Sequence, residues 1–302
     1  KMTFIYLRRA IIFGVVIFAV LFYIKEDIRY LYRLYERYND KPSALNLRAY
    51  VADIEGKEVK GVKDNLSGLT WSDKHRLLFA VVNKPPEVVW LTSDGERTGS
   101  LPIPEITDPE AVEWMGDNLF RVGSEKDGSA WLVNIDILKG NYQLLSNIPL
   151  EGYTRPGNNG LEGLAWDKEN QVLFAAKEKK PVIISRVDVQ REESSVSTLP
   201  ASVTSSVRDV SGLHYHSPTA SLLVLSDESN KVLEINSEGL VTDRLYLNAG
   251  WAGLAEDIPQ AEGLALDDEA NLYIVSEPNL FYRFTKKQNG RTRLYRPEMS
   301  LE

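Results

Sequence analysis

The chain has 302 residues, 43% of them hydrophobic, which is enough to bury a sizeable core. Its formal net charge of −8, with no basic stripe, excludes the counterion-displacing contact that nucleic acid requires. The absence of cysteine excludes disulfides, thiol catalysis and thiolate metal sites.

Residues 10–24 form an unbroken apolar run, somewhat short of the roughly 20 residues that a membrane span needs. Residues 3–7 extend it if Arg8 and Arg9 snorkel toward the headgroups. A cleaved signal peptide would place a small-x-small site after the run, where Lys25-Glu-Asp stands instead. The usual context of a twin-arginine signal is missing around Arg8-Arg9. An uncleaved anchor over residues 1–24 fits best. Lys1, Arg8 and Arg9 precede the span without an acid among them, whereas Lys25, Arg29, Arg33 and Arg37 are matched by Glu26, Asp27, Glu36 and Asp40. The positive side stays in the cytoplasm, so the bulk of the chain is expected to face outward.

Residues 25–46 read as a helical stalk and linker. Ile28, Leu31, Tyr32, Tyr35 and Tyr38 recur at helical spacing, and Pro42 ends the helix. The stripe is too short for a coiled coil. It suits a stalk packed on the globular domain, or a helix that meets a membrane-protein partner.

From residue 47 to 290 the chain reads as strands organised around a repeated motif. Its copies are Asn65-Leu-Ser-Gly-Leu-Thr-Trp71, Asp108-Pro-Glu-Ala-Val-Glu-Trp114, Gly160-Leu-Glu-Gly-Leu-Ala-Trp166, Asp209-Val-Ser-Gly-Leu-His-Tyr215 and Gln260-Ala-Glu-Gly-Leu-Ala-Leu266. They lie roughly 45–50 residues apart, the period of a blade. An apolar run follows each motif after a polar turn. A third strand comes next, then an Asp-Gly or Glu-Gly turn and a fourth. Four antiparallel strands in five copies predict an all-β, five-bladed β-propeller. The last blade shows three strands of its own, so residues 49–62 are expected to supply its outer strand and close the ring. The Ser-rich stretch 191–206 reads as a long outer connection, and residues 291–302 as a tail.

Ile258-Pro-Gln-Ala-Glu-Gly-Leu-Ala-Leu266, followed by Tyr273-Ile-Val-Ser-Glu-Pro-Asn-Leu-Phe-Tyr-Arg-Phe284, resembles the C-terminal blade of the SdiA-regulated family. Gly163-Leu-Ala, Lys177-Glu-Lys and Asp209-Val-Ser-Gly fit the same pattern. The likeness is to the YjiK-like, membrane-anchored branch found in enteric bacteria, and it covers roughly residues 49–285. It implies a five-bladed propeller behind an anchor in a bacterial inner membrane, with the propeller periplasmic. The family brings no established activity and no catalytic residues.

In a blade, the start of the first strand and the end of the second share one face of the disc. The starts offer Ser67, Glu110, Glu162, Ser211 and Glu262; the ends offer Asn83, Glu125, Glu178, Glu228 and Glu277. Seven carboxylates are thus expected at one mouth of the channel, where like charges raise each other's pKa or require a counter-charge. Arg121, Lys84, Lys126, Lys177 and Lys179 lie in the same segments. A hard cation with oxygen ligands, Ca2+ or Mg2+, is the other candidate, with Glu110, Glu162 and Glu262 as its ligands. Against this stands a structural role for the same carboxylates as amide caps, which repetition favours. Trp251, on the loop into the last blade, is a candidate stacking surface, whereas Trp71, Trp114 and Trp166 share one repeat position and suit blade packing. His214 and His216 alternate on one strand with no third ligand nearby, which speaks against zinc. Ser211 and His214 lack a nucleophile elbow. The expected function is a module that binds a small molecule or a protein; the alternative is a metal-dependent hydrolase of phosphoester or lactone type at the same mouth. A structural subunit that assembles through its stalk and span is a third reading.

Overall fold

The computed structural model describes residues 43–150, 152–153, 160–189, 193–195 and 201–287, together with 13–15, 17, 25, 28–36 and 38. Residues 1–41 and 42–302 are separate compact units. Within the first, residues 28–36 are helical, with Ile28, Leu31, Tyr32 and Tyr35 exposed. Most of the expected span lies outside the described residues, among which no helix is long and apolar enough to cross a membrane. The expected tail, 291–302, lies outside them as well.

The second unit is a five-bladed β-propeller. The chain enters through β1 (Tyr50–Glu58). Blade 1 then runs through β2 (Leu66–Ser72), β3 (Leu77–Asn83), β4 (Pro86–Leu91) and β5 (Arg97–Pro102). Blade 2 is β6 (Pro109–Gly116), β7 (Leu119–Ser124), β8 (Ser129–Asp136) and β9 (Asn141–Pro149). Blade 3 is β10 (Leu161–Asp167), β11 (Val172–Lys177), β12 (Ile183–Asp188) and β13 (Glu193–Ser195). Blade 4 is β14 (Gly212–His216), β15 (Ser221–Ser226), β16 (Lys231–Ile235) and β17 (Val241–Tyr246). Blade 5 is β18 (Ala261–Leu266), β19 (Leu272–Ser276) and β20 (Leu280–Lys286), with β1 as its outer strand.

The ring closes as the strand count predicts. β1 pairs antiparallel with β20, from Tyr50 opposite Lys286 to Glu58 opposite Leu280. The Ser-rich stretch differs from its expectation: it is more than a connection, because β13 within it is the fourth strand of blade 3. The domain also begins earlier than residue 47. Leu45 is buried with Leu47 in the core between blades 4 and 5. Its amide donates to Glu234 Oε1 at 3.1 Å, and Arg48 Nε meets Asp243 Oδ1 at 2.9 Å, so residues 43–48 fasten onto blade 4.

Position in the blade explains the composition of each strand. β2, β15 and β16 are buried along their whole length, because both faces meet neighbouring blades. The outer strand β9 alternates between exposed and half-buried residues. Five apolar clusters fill the five seams; Phe79 and Phe120, for example, meet at 4.6 Å between blades 1 and 2. Trp71 stacks on Tyr273 across the seam of blades 5 and 1, in keeping with the packing role expected of its repeat position.

The small residue of the motif sets the width of the axis. A Cβ on Gly263 would lie 2.6 Å from the carbonyl carbon of Gly68, and one on Gly68, whose φ is +51°, 2.9 Å from the Val112 nitrogen. Inner strands this close leave a void of only about 10 Å3 at the waist. The channel is thereby divided into two separate vestibules.

Candidate functional site

The first vestibule opens where the inner strands begin. Backbone hydrogen bonds tie strand ends to strand starts: Glu125 N–H to Asp108 O at 2.9 Å, Glu178 N–H to Gly160 O at 3.0 Å, and Glu277 N–H to Gln260 O at 3.0 Å. Both sets of side chains therefore share one face. A β-bulge aims the strand-start acids. The ladder skips from Pro109 to Ala111, from Leu161 to Gly163 and from Ala261 to Gly263, leaving Glu110, Glu162 and Glu262 out of register. In blade 1 the skipped residue is Gly68.

The resulting cavity has a volume of about 370 Å3. All seven expected carboxylates line it: Glu110, Glu125, Glu162, Glu178, Glu228, Glu262 and Glu277. Asp108, Asp209 and Asp227 join them, against Lys84 and Lys179 as the lining cations. Lys179 is engaged by Glu178 at 2.6 Å and Glu228 at 3.0 Å, and Lys84 approaches Asp108 at 3.6 Å. The remaining acids have no lysine contact of this kind among the described residues.

Burial dominates their electrostatics. It pushes the Glu110 carboxyl up to about 7, against hydrogen bonds from Asn83 and Ser67 that favour the charged form. Glu262 is pushed up to about 9 by burial, reinforced by Asp227, Glu110 and Glu277. Glu162 rises well above the ordinary carboxylate range, from burial first and then from Glu110, Glu125 and Glu262. Neither Glu162 nor Glu262 draws a hydrogen bond among the described residues. Glu125, Asp209, Asp227 and Glu277 also rise, chiefly through burial. Partial compensation comes from Gly160 N–H to Glu125 at 3.0 Å and Ala261 N–H to Asp227 at 3.3 Å.

The expected metal set, Glu110, Glu162 and Glu262, is not the tight one. Among the described residues, the acids whose ligand atoms all lie within 4.8 Å of one another are Asp108, Glu110 and Glu125. All three belong to blade 2. Propeller symmetry gives equivalent glutamates a similar radius, which spreads them around the channel. Close approach instead needs the start and end of one hairpin. Asp108 contributes because its left-handed backbone, φ +52°, turns the chain just before the bulge. This triad could hold a metal ion. The buried amide of Asn83 adjoins it, with Nδ2 on Glu110 Oε1 at 2.5 Å and Oδ1 without a partner.

Three expected site residues lie elsewhere. Arg121 is buried, and its Nη1 donates to Ala130 O at 2.9 Å. Lys177 is buried one residue before the mouth, and its ammonium donates to Lys179 O. Trp251 is only 8% exposed and packs edge-on against Tyr246 at 4.9 Å, so it presents no stacking surface. Strand alternation accounts for the first two, since mouth-facing positions are strand ends and bulges. Ser211 Oγ is committed to Ala261 O at 2.6 Å, and His214 is the middle residue of β14, outside the lining of the acidic vestibule.

Asp227 went unpredicted through a one-residue offset. Ser226-Asp227 is the counterpart of Ser124-Glu125 and Ser276-Glu277, whereas Glu228 lies one position beyond. Asp108 and Asp209 open two of the five motif copies, and that shared position was their signal.

Residues 42–285 match the SdiA-regulated family. The chain belongs to that family. Among solved structures, the luciferin-regenerating enzyme aligns with a TM-score of 0.51 at 12% identity, over 75% of this chain and 92% of that one. Streptogramin B lyase aligns at 0.48 and 9% identity, over 79% and 98%. A chain of a nidogen/laminin complex aligns at 0.47 and 11%, over 71% and 73%. At these identities the likeness is one of fold alone.

Proposed function

We propose that this SdiA-regulated propeller is a cation-dependent binding module whose ligand, a small molecule or a protein segment, engages the acidic vestibule. The observation that carries the reading is the Asp108, Glu110 and Glu125 triad inside a cavity where ten carboxylates meet two lysines. So many buried acids are costly without a proton or a cation, and oxygen-only ligands suit Ca2+ or Mg2+. Ion binding to the folded state would add about 2.7 kcal/mol at a hundredfold excess over the dissociation constant. Ca2+ should therefore raise the melting temperature, a chelator should reverse the rise, and Glu110→Gln should abolish it. The response should be larger at pH 8 than at pH 6, because the Glu110 carboxyl takes up a proton near 7 and competes with the ion. Melting that ignores Ca2+, Mg2+ and chelator at pH 8 would sink the cation site.

The same triad supports a second reading. Three protein carboxylates facing an open cavity leave coordination positions for water and substrate, the arrangement a metal-dependent hydrolase of phosphoesters or lactones needs. Metal-dependent turnover of a phosphoester or a lactone, lost in Glu110→Gln, would decide for it. Saturable ligand binding without turnover would decide for the module.

The module is proposed to sit in the periplasm, tethered to the bacterial inner membrane by residues 1–24, with the helix around residues 28–36 meeting a membrane-protein partner. The support is the charge asymmetry around the apolar run and its 15 unbroken apolar residues, 10–24. Protease added to spheroplasts should digest the propeller or cut near Lys41. A full-length, protected chain in intact spheroplasts would refute the placement.

A further inference from the structure

The second vestibule lies beyond the waist, where the inner strands end. It has a volume of about 160 Å3, and its wall includes Trp71, Glu113, Trp114, Trp166, His214 and Tyr215. Each of the five inner strands contributes to it, with Leu266 completing the ring. Nothing in the acidic site reaches this end.

Four of these side chains carry a buried polar atom with no hydrogen-bond partner: Trp71 Nε1, Glu113 Oε2, Trp166 Nε1 and His214 Nδ1. Trp71, Glu113 and Trp166 are 7%, 6% and 8% exposed. Neighbouring groups are satisfied. Trp114 Nε1 donates to Asp117 O at 3.0 Å, and Glu113 Oε1 accepts the Trp166 amide at 3.3 Å. Buried indole N–H and carboxyl groups nearly always find partners, and four orphans around one cavity is a concentration that asks for a guest.

We infer that this vestibule holds a neutral, hydroxyl-bearing small molecule, with Trp71, Glu113, Trp166 and His214 as its hydrogen-bonding wall. The indoles supply two donors; the Trp71 ring itself is covered by Tyr273 and Arg76. The carboxyl and the imidazole supply groups that pair with hydroxyls. Burial leaves both uncharged near neutrality, pushing Glu113 up to about 8 and His214 down to about 3, while Asp73 and Lys168, exposed at the edge of the lining, carry one charge of each sign, so the lining offers no net charge to an ion. The space equals that of about five waters, enough for a compact sugar or polyol. A lining rich in aromatic residues suits the C–H groups of such a molecule better than water alone.

The test uses the full-length chain in detergent, titrated with glucose and mannitol as neutral probes and with acetate and tetramethylammonium as charged ones. Intrinsic tryptophan fluorescence and melting temperature are the readouts. A saturable response to glucose or mannitol is expected, and which of the two responds tells a sugar ring from an open polyol. Trp166→Phe, which keeps a ring and removes the donor, should weaken it about fivefold or more. If that variant does not fold, Trp71→Phe carries the same test. Glu110→Gln should leave the neutral-probe response intact while abolishing the Ca2+ response, so the two ends fail separately. Absence of any saturable response to both neutral probes, a preference for either charged probe, or undiminished binding by the folded tryptophan variant would overturn the inference.

Discussion

The two vestibules are built by the same five strands and differ in almost everything else. At the strand starts, bulges turn glutamates out of the ladder, and the cavity of about 370 Å3 gathers ten carboxylates. At the strand ends, about 160 Å3 is lined by aromatic residues and by a carboxyl and an imidazole that burial keeps uncharged, with Asp73 and Lys168 as one charge of each sign. Fivefold architecture supplies the axis at both ends. Local backbone irregularity decides which chemistry faces it. A regular ladder leaves large side chains in the seams between blades, whereas a bulge or a left-handed residue such as Asp108 delivers an acid to the opening.

The contrast depends on the waist, and the largest expected effect comes from widening it. In Gly263→Ala the new methyl meets backbone of Gly68 and Leu69 at 2.6 and 2.8 Å, atoms that cannot move aside cheaply. The variant should lose about 3–5 kcal/mol, read as a lower urea midpoint at unchanged slope. A loss within about 0.5 kcal/mol would mean the inner strands are not held as tightly as described.

A smaller effect, of opposite sign, isolates the acidic end. The Glu262 carboxyl rises from its ordinary 4.5 to about 9 on folding, so the folded state holds the proton more tightly than the unfolded one. Its contribution therefore worsens as pH climbs from 4.5 toward 9, where the unfolded chain ionises and the folded one does not. In chelator at pH 7, Glu262→Gln should gain roughly 2–3 kcal/mol of unfolding free energy. At pH 4, where both states are protonated, the gain should vanish. An equal gain at both pH values would assign the effect to packing rather than to charge.

Much of this was legible in the residues. The repeated motif, its spacing and the uneven strand count sufficed for five blades and for closure by β1, because those features follow from which segments must be buried together. The acidic face was legible for the same reason: a hairpin returns its end to the level of its start. What could not be read were the departures from regularity. Asp108 joins Glu110 and Glu125 through one left-handed residue and one bulge, neither of which has a composition signature strong enough to separate it from an ordinary turn. Glu162 and Glu262 looked equivalent to Glu110 by symmetry, yet equal radius does not bring side chains from different blades together. Nearness in sequence places Arg121 and Lys177 at the mouth, although a shift of one residue along a strand turns a side chain to another face. The Ser-rich stretch hid β13 because its residues carry little of the alternation that marks a strand.

Closure by β1 also has a timetable. Asp53 of the first strand and its partner Arg283 are 230 residues apart in the chain. At a synthesis rate of about 5–20 residues per second, the first-made strand waits roughly 10–50 s for the last to emerge. During that interval it is an unpaired edge. Its sequence, Tyr50-Val-Ala-Asp-Ile-Glu-Gly-Lys-Glu58, carries four charges in nine residues, the kind of edge that resists joining a neighbouring chain. The strand that completes the ring is thus also the one best fitted to wait for it.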